Sequence, residues 1–152
     1  MPYGEFLYIN KLEAEKPYNL VKEFHKRFNH PVENGQIMDE SLLKLRLRLI
    51  NEECQELNEA SERLLNAKEC EDAIQAVDDM IDAIADLLYV TYGFCVTYGI
   101  PIDKVFKTVH AHNMMKLGPD GKPIYDEEGK VMKSSRYVPP SFRELAKQIL
   151  GI

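Results

Sequence analysis

The chain has 152 residues, of which 45% are hydrophobic and 29% are charged, a composition typical of one folded domain. Its formal net charge of −6 argues against a general nucleic-acid-binding surface, which needs a basic stripe, so we expect no nucleic-acid polymer as a partner. The three cysteines are widely spaced with no CxxC pair, which argues against a zinc ribbon or a disulfide framework and favours a reducing, cytoplasmic setting.

The N-terminus does not resemble a secretion signal, because no basic stretch is followed by a long apolar run. No uninterrupted apolar stretch approaches the roughly 18 residues of a membrane span. We therefore expect no membrane partner. The bulky apolar residues Tyr3, Phe6, Leu7 and Tyr8 instead favour self-association into a dimer or a tetramer.

The first predicted elements are helices joined by short breaks. A short amphipathic helix is predicted over residues 17–29, followed by a loop that contains Pro31 and Asn34-Gly35. Two long helices are predicted over residues 40–66 and 70–98. Their short connection favours antiparallel packing.

The rest of the chain combines helix with an irregular arm. A further helix is predicted from about residue 101 to Lys116, and two turn signals, Asp120-Gly121 and Glu128-Gly129, then indicate a hairpin or extended arm. Ser141 and Glu144 form a capping box for a terminal helix. The sequence thus predicts one all-α domain over residues 1–152, an antiparallel helix bundle with its helical core at 17–116 and its arm and terminal helix at 117–152.

Carboxylates interrupt the apolar face of the first long helix. The stripe formed by Leu42, Leu45 and Leu49 continues, at helical spacing, to Glu53, Glu56 and Ala60. Glu52 lies at the edge of the same face. Since burying unpaired carboxylates is costly, these side chains require a positively charged partner or a metal ion.

The second long helix repeats this pattern. Asp79, Asp82 and Asp86 run beside its main apolar stripe, which is predicted to be Ile74, Val77, Ile81, Ile84 and Leu88. A charge cluster on one helix is usually a solvated face, but two clusters on antiparallel helices favour a pocket for Mg²⁺ or Mn²⁺. A ferritin-like di-iron site is disfavoured, because Glu-x-x-His pairs are missing from these helices.

Polar residues on the next helix suit a phosphate chain. His110, Asn113 and Lys116 recur every three residues, and a lysine with an amide can bind phosphate oxygens. The alternative is that Lys116 only stabilises the helix C-terminus. Candidates for stacking on a base are aromatic residues that core packing could equally explain, namely Phe24, His25, Phe28, Tyr89 and Tyr92.

Several stretches together resemble a known family. "EECQE" matches the EExxE motif of the MazG-like all-α nucleoside triphosphate pyrophosphatases, and "DAIADLLYVTYG", "VHAHNMMK" and "DEEGKVMKSSRYVPP" resemble the branch of phosphoribosyl-ATP pyrophosphohydrolase. The resemblance covers about residues 40–140. It implies a helical dimer or tetramer and Mg²⁺-dependent cleavage of a nucleoside triphosphate to a monophosphate and pyrophosphate.

The resemblance also assigns residues. By motif position it implies a metal site at Glu52, Glu53, Glu56 and Asp86. It implies a phosphate-side motif at His110, Asn113 and Lys116, and Lys130 in the arm is a further substrate-binding candidate. Glu52 or Glu53 is expected to orient the attacking water or accept its proton, and the sequence does not decide between them.

The chain departs from the family pattern at one position. The second acidic motif is ExxD, with Asp86 as its aspartate, but Ala83 occupies the glutamate position. We expect Asp82 to serve as a metal ligand instead. The predicted function is a nucleotide-pool or house-cleaning pyrophosphatase, with phosphoribosyl-ATP pyrophosphohydrolase, or a catalytically weakened helical binding module, as alternatives.

Overall fold

The computed structural model describes residues 15–152, and that range confirms the all-α prediction. Its helices are α1 (Pro17–Arg27), α2 (Glu40–Asn66), α3 (Cys70–Tyr98), α4 (Ile102–Met114) and α5 (Arg143–Leu150). Within the described range, β-structure is limited to one antiparallel bridge between Tyr125 and Val131 in the arm. The chain divides into two compact units, residues 1–100 and 101–152.

The long helices α2 and α3 begin and end where the sequence predicts. Asp39 caps α2, because its side chain accepts hydrogen bonds from the backbone N–H groups of Ser41 and Leu42. Gly99 ends α3 with a φ of 68°, a left-handed conformation that glycine adopts without strain. Arg63 of α2 pairs with Asp79 of α3, while Glu53 senses the charge of Asp86. The two helices are therefore antiparallel, as predicted.

The buried core of the first unit lies at the C-terminal end of α3. Cys95, Val96, Thr97 and Tyr98 are all buried there. The loop before α2 is fixed on this end by backbone hydrogen bonds from Glu33 N to Val96 O and from Gly35 N to Thr97 O. A Cβ on Gly35 would lie 2.7 Å from Thr97 Cγ2, so only glycine allows this close approach.

The predicted main stripe of α3 is not buried. Each of its members keeps between 41% and 63% of its surface exposed: Ile74, Val77, Ile81, Ile84 and Leu88. The fully buried positions along this part of the helix are the small residues Ala76 and Ala83, which let α2 approach closely. The main apolar stripe read from the sequence is therefore not the face that packs on α2, which carries Ala76 and Ala83.

The sequence of α3 is apolar over most of its length. By length and composition alone, α3 is apolar enough to cross a membrane. The sequence expectation missed it because Asp82 and Asp86 interrupt the apolar run. The core helix of a soluble protein passes the same test, so the absence of a membrane partner stays a prediction. The N-terminal residues predicted to support self-association, Tyr3 to Tyr8, lie outside the described residues.

The second unit differs from prediction at two helix ends. Helix α4 ends at Met114, so Lys116 lies in the following turn, with its N–H donating to Asn113 O. Helix α5 begins at Arg143 with Phe142 as its N-cap and no side-chain capping bond. The predicted capping box of Ser141 and Glu144 is therefore not formed.

In the first unit, helix α1 ends at Arg27, two residues before its predicted end.

Candidate functional site

Carboxylates from α2 and α3 converge around Glu53. This side chain is half-buried. Its pKa is raised by burial first, and then by the negative charges of Glu56, Asp86, Glu52 and Asp82 in that order. Since charges act over short range in a protein, these carboxylates share one neighbourhood across the two helices. The structure therefore brings together the five acidic residues that the sequence nominated.

Ala83 is the position at which the chain departs from the family motif. It lies on α3 one turn before Asp86, whose charge acts on Glu53 of α2. Ala83 is 3% exposed, so its methyl group fills the helix interface where the family motif has a carboxylate.

Two nearby carboxylates have positively charged partners. The pKa of Asp79 is lowered first by a hydrogen bond from Gln75 and then by Arg63, which lies 2.6 Å away. Glu52 lies 3.5 Å from Arg48 on the exposed side of α2. Within residues 15–152, no such ion pair reaches the four other carboxylates, Glu53, Glu56, Asp82 and Asp86.

The chemistry of this donor set fits a hard divalent cation, since Mg²⁺ and Mn²⁺ prefer carboxylate oxygens. The mutual repulsion expressed in the raised pKa of Glu53 is what such a cation would relieve. As the side chains stand, the described part of the chain has no three acidic, histidine or cysteine groups close enough to hold one ion. The structure thus provides the charges but not an assembled ligand shell.

His25 lies inside the packing of the first unit. It is 2% exposed, and its Nδ1 lies 2.8 Å from Pro31 O. Its pKa is lowered mainly by burial and further by the charges of Arg46 and His30, which favours a neutral ring. Contact with a base would require its neighbours to move. Arg46 is also buried, which its sequence context does not predict, because an arginine between leucines is typical of a solvated position.

An aromatic cluster lies between α1 and α3. The Phe24 ring stacks on Phe28 with centroids 4.2 Å apart, and it meets the edge of Tyr89 at 5.6 Å. His30 stacks on the same ring at 6.0 Å. Phe28 and Tyr89 are exposed. The structure thus groups three predicted base-stacking candidates and adds His30, which the sequence analysis missed because it lies in a loop outside the helical pattern.

The second unit contains the predicted phosphate-side residues. His110 and Asn113 are exposed on α4, and Lys116 follows in the turn. The ammonium group of Lys116 lies 5.8 Å from the centroid of the Tyr137 ring. Lys130 is exposed in the arm, where its backbone N–H donates to Asp126. Tyr137 was not predicted, and no spacing rule connects it to Lys116, which is 21 residues away.

Comparison with known proteins agrees with these motifs. The profile of the family described as phosphoribosyl-ATP pyrophosphohydrolase matches residues 21–113. A protein of Acanthamoeba polyphaga mimivirus, named Uncharacterized protein L479, is 40% identical over 127 residues, which cover 80% of this chain. The chain spans 44% of the length of that relative. It belongs to the phosphoribosyl-ATP pyrophosphohydrolase family of the MazG-like all-α superfamily, whose members are pyrophosphohydrolases that act on nucleotide phosphoanhydride bonds.

Proposed function

We propose that this chain is a Mg²⁺-dependent nucleoside triphosphate pyrophosphatase that converts a (deoxy)nucleoside triphosphate to its monophosphate and pyrophosphate. The observation that carries this proposal is the group of carboxylates from two helices around Glu53, of which four lack a positively charged partner in residues 15–152. Removing a noncognate or surplus nucleotide from the pool is the cellular role that fits this reaction.

The acidic residues have two roles in this proposal. Glu52, Glu53, Glu56, Asp82 and Asp86 hold the cation. A bound divalent cation neutralises charge on phosphate oxygens and makes water more acidic, as in other metal-assisted hydrolases. One carboxylate, Glu52 or Glu53, orients the attacking water and accepts its proton. We favour Glu53 for proton transfer, because it is half-buried, whereas Glu52 is exposed and lies beside Arg48.

Predicted residues that are accessible in the structure are proposed to bind substrate. Lys116 and Asn113 supply a charge and an amide donor for the phosphate chain, and His110 lies one turn earlier on the same side of α4. The base is proposed to stack on the exposed part of the aromatic cluster, at Phe28 and Tyr89. Stacking of this kind is tolerant of base identity.

The family match specifically favours a second candidate, phosphoribosyl-ATP as substrate. The reaction is the same, since a pyrophosphate group leaves in both cases. The arm that follows Lys116 is the feature that makes us prefer a simpler nucleotide, because the compact form of that enzyme does not require it.

The test is pyrophosphate release from a panel of ribo- and deoxynucleoside triphosphates and phosphoribosyl-ATP, each with Mg²⁺ and with excess EDTA. Mg²⁺-dependent release from one or more nucleoside triphosphates supports the proposal. Release from phosphoribosyl-ATP alone supports the second candidate. No release from any substrate would reject both and leave a helical binding module.

We also propose that the chain self-associates through α3. Its exposed residues Ile74, Val77, Ile81, Ile84 and Leu88 alternate spacings of three and four, which is the pattern of a helix seam that packs on another helix. An exposed contiguous apolar face of this kind marks an interaction surface. A two-fold dimer would bury the seam of each copy against the other, and pairing of dimers would give a tetramer.

A further inference from the structure

Two lysines of the second unit converge on one aromatic ring. The ammonium of Lys116 lies 5.8 Å, and that of Lys133 5.1 Å, from the centroid of the Tyr137 ring. Lys116 follows α4, whereas Lys133 lies in the arm. The fold therefore brings together two positive charges that are 17 residues apart in the chain.

Two hydrogen bonds hold this arrangement in place. Ser134, next to Lys133, is buried and donates a 2.6 Å hydrogen bond from Oγ to the backbone O of Met115, next to Lys116. The Tyr137 N–H donates to Ser134 O, which closes a turn between the second lysine and the ring. The two lysines are thus positioned by the same short connection between the arm and the end of α4.

Neither Lys116 nor Lys133 forms an ion pair with a carboxylate of the second unit, all of whose residues are described. Asp120 and Asp126 accept backbone hydrogen bonds within their own turns. Of the ion pairs formed by described residues, the one in this unit joins Lys147 to Glu144, away from the arm. Two like charges near one ring repel each other, and an anion that contacts both would remove that repulsion.

We propose that Lys133 acts with Lys116 as a clamp for the phosphate chain of the nucleotide, and that Tyr137 positions the two ammonium groups. The ligand class is a linear di- or triphosphate, because one such chain offers anionic oxygens on successive phosphorus atoms to two separate charges. The role in substrate binding rests on the proposed function. Lysine acts here as a point charge, which suits a chain with several equivalent oxygens.

A competing explanation is that the lysine stems only cover the tyrosine ring, as amphipathic side chains often do. In that case the positive charge of Lys133 would have no ligand. The two explanations differ in a measurable way, because only the clamp predicts that removing the charge weakens the binding of a polyphosphate.

The test is calorimetric titration of the full chain with inorganic tripolyphosphate at low salt. Mg²⁺ is left out so that no cation at the carboxylates can bind the polyphosphate. The variants are Lys133→Met, Lys133→Arg and, as a matched control on the same arm, Lys122→Met. Loss of one charge-assisted contact should weaken binding roughly tenfold or more in Lys133→Met. Lys133→Arg should retain most of the affinity, and Lys122→Met should stay within about twofold of wild type.

Tyr137 is tested in the same titration. Tyr137→Phe keeps the ring and should bind like wild type, whereas Tyr137→Leu should weaken binding by releasing both lysines. Circular dichroism confirms that each variant is folded, and Lys133→Gln replaces Lys133→Met if the latter does not fold. Equal affinity of wild type and the Lys133 charge-removing variant, or no binding by wild type, would overturn the clamp.

Pyrophosphate release by the same wild-type sample separates the two proposals. Binding that depends on Lys133 in a protein that releases no pyrophosphate would keep the clamp and reject the proposed function. If the protein releases pyrophosphate but its affinity for tripolyphosphate does not depend on Lys133, the proposed function is kept and the clamp is rejected.

Discussion

The two ends of the α2–α3 pair are built from similar apolar residues but are covered very differently. At one end, α1 and the loop before α2 cover α3, and residues 95–98 are buried. At the other end, over residues 74–88, Ala76 and Ala83 are buried and Met80 and Leu87 are half-buried, while Ile74, Val77, Ile81, Ile84 and Leu88 stay exposed. Burial therefore depends on what packs against a helix. The open end, which no described element covers, is the surface that remains accessible to a partner or a ligand.

The two ends also differ in charge. The covered end contains the buried His25, whose pKa is lowered, together with Arg46. The open end contains the carboxylates that raise the pKa of Glu53. Each end thus carries an electrostatic cost of opposite sign. At the covered end, we expect internal packing to offset the free energy lost by burying these groups. At the open end, we expect a bound cation to offset the repulsion between the carboxylates.

The largest effect should come from removing one charge at the open end. Glu53→Gln should abolish turnover, because the several kcal/mol that a catalytic cation supplies correspond to roughly 1000-fold in rate. Mg²⁺ should raise the melting temperature of wild type but not of the variant. Circular dichroism should show unchanged helicity, since the substitution is nearly isosteric.

Glu59→Gln is the matched control, because Glu59 is an exposed carboxylate on the same helix. It should keep activity within about twofold, as surface substitutions usually have small effects. Equal melting curves and equal activity of wild type in Mg²⁺ and in excess EDTA would reject the metal site altogether.

The next effect concerns the exposed seam. Ile81→Asp should dissociate the oligomer. Burying an isoleucine contributes about 1.5–3 kcal/mol, and in a two-fold dimer both copies lose this contribution. The dimer dissociation constant should rise by at least about 100-fold in analytical ultracentrifugation. The control is Leu65→Asp on α2, which is 85% exposed and outside the seam, and which should leave the mass unchanged.

Two results would contradict the seam. One is a wild-type chain that is a folded, active monomer at micromolar concentration. The other is wild-type protein that cosediments with phospholipid vesicles and is released by Ile81→Asp, which would assign the apolar face of α3 to a membrane instead.

A smaller effect should distinguish the aspartates of α3. Asp82→Asn should cost about 10–100-fold in turnover or in apparent Mg²⁺ affinity, as the loss of a metal-site partner typically does. Asp79→Asn should cost less, because Arg63 and Gln75 already occupy that carboxylate. Activity assays with a Mg²⁺ titration measure both.

Ala83→Glu tests the family motif at the same place. Ala83 is buried in the helix interface, so a carboxylate there should lower the melting temperature without raising activity. If Ala83→Glu raises activity while Asp82→Asn is silent, the family motif is the better guide and our assignment of Asp82 fails.

The smallest effect belongs to the covered end. Burial lowers the pKa of His25, so the folded chain favours its neutral form. Its contribution to stability is present above the ordinary pKa of 6.5 and is lost as the pH falls below it, because the unfolded chain takes up the proton first. Melting temperatures of wild type should therefore fall between about pH 7.5 and pH 5.5 more steeply than those of His25→Gln.

The exposed His110→Gln is the control for this pH dependence and should follow the wild-type slope, because His110 is not among the groups that shift the pKa of His25. Glu53, whose pKa is raised, is present in every variant, so only the difference between curves reports on His25. Identical slopes for wild type and His25→Gln would show that burial of this ring carries no penalty for protonation.

Much of the fold could be predicted because local rules determine it. The bounds of α2 and α3 follow from helical periodicity, the Asp39 cap and the Gly99 stop. The convergence of carboxylates also followed, since a short connection makes two long helices antiparallel and brings their acidic residues together. The capping box at Ser141 failed because a favourable sequence permits a cap but does not require it.

By itself, the sequence determined the helices, the family and the residues that carry the acidic charge. Only the tertiary structure decided that Ala83 faces α2, that the larger residues of α3 face outward, that His25 is buried, and that Lys133 meets Lys116 at Tyr137. The physical reason is that periodicity reports which residues share a face. Which face is covered, and which distant residues meet, depends on contacts between elements far apart in the chain.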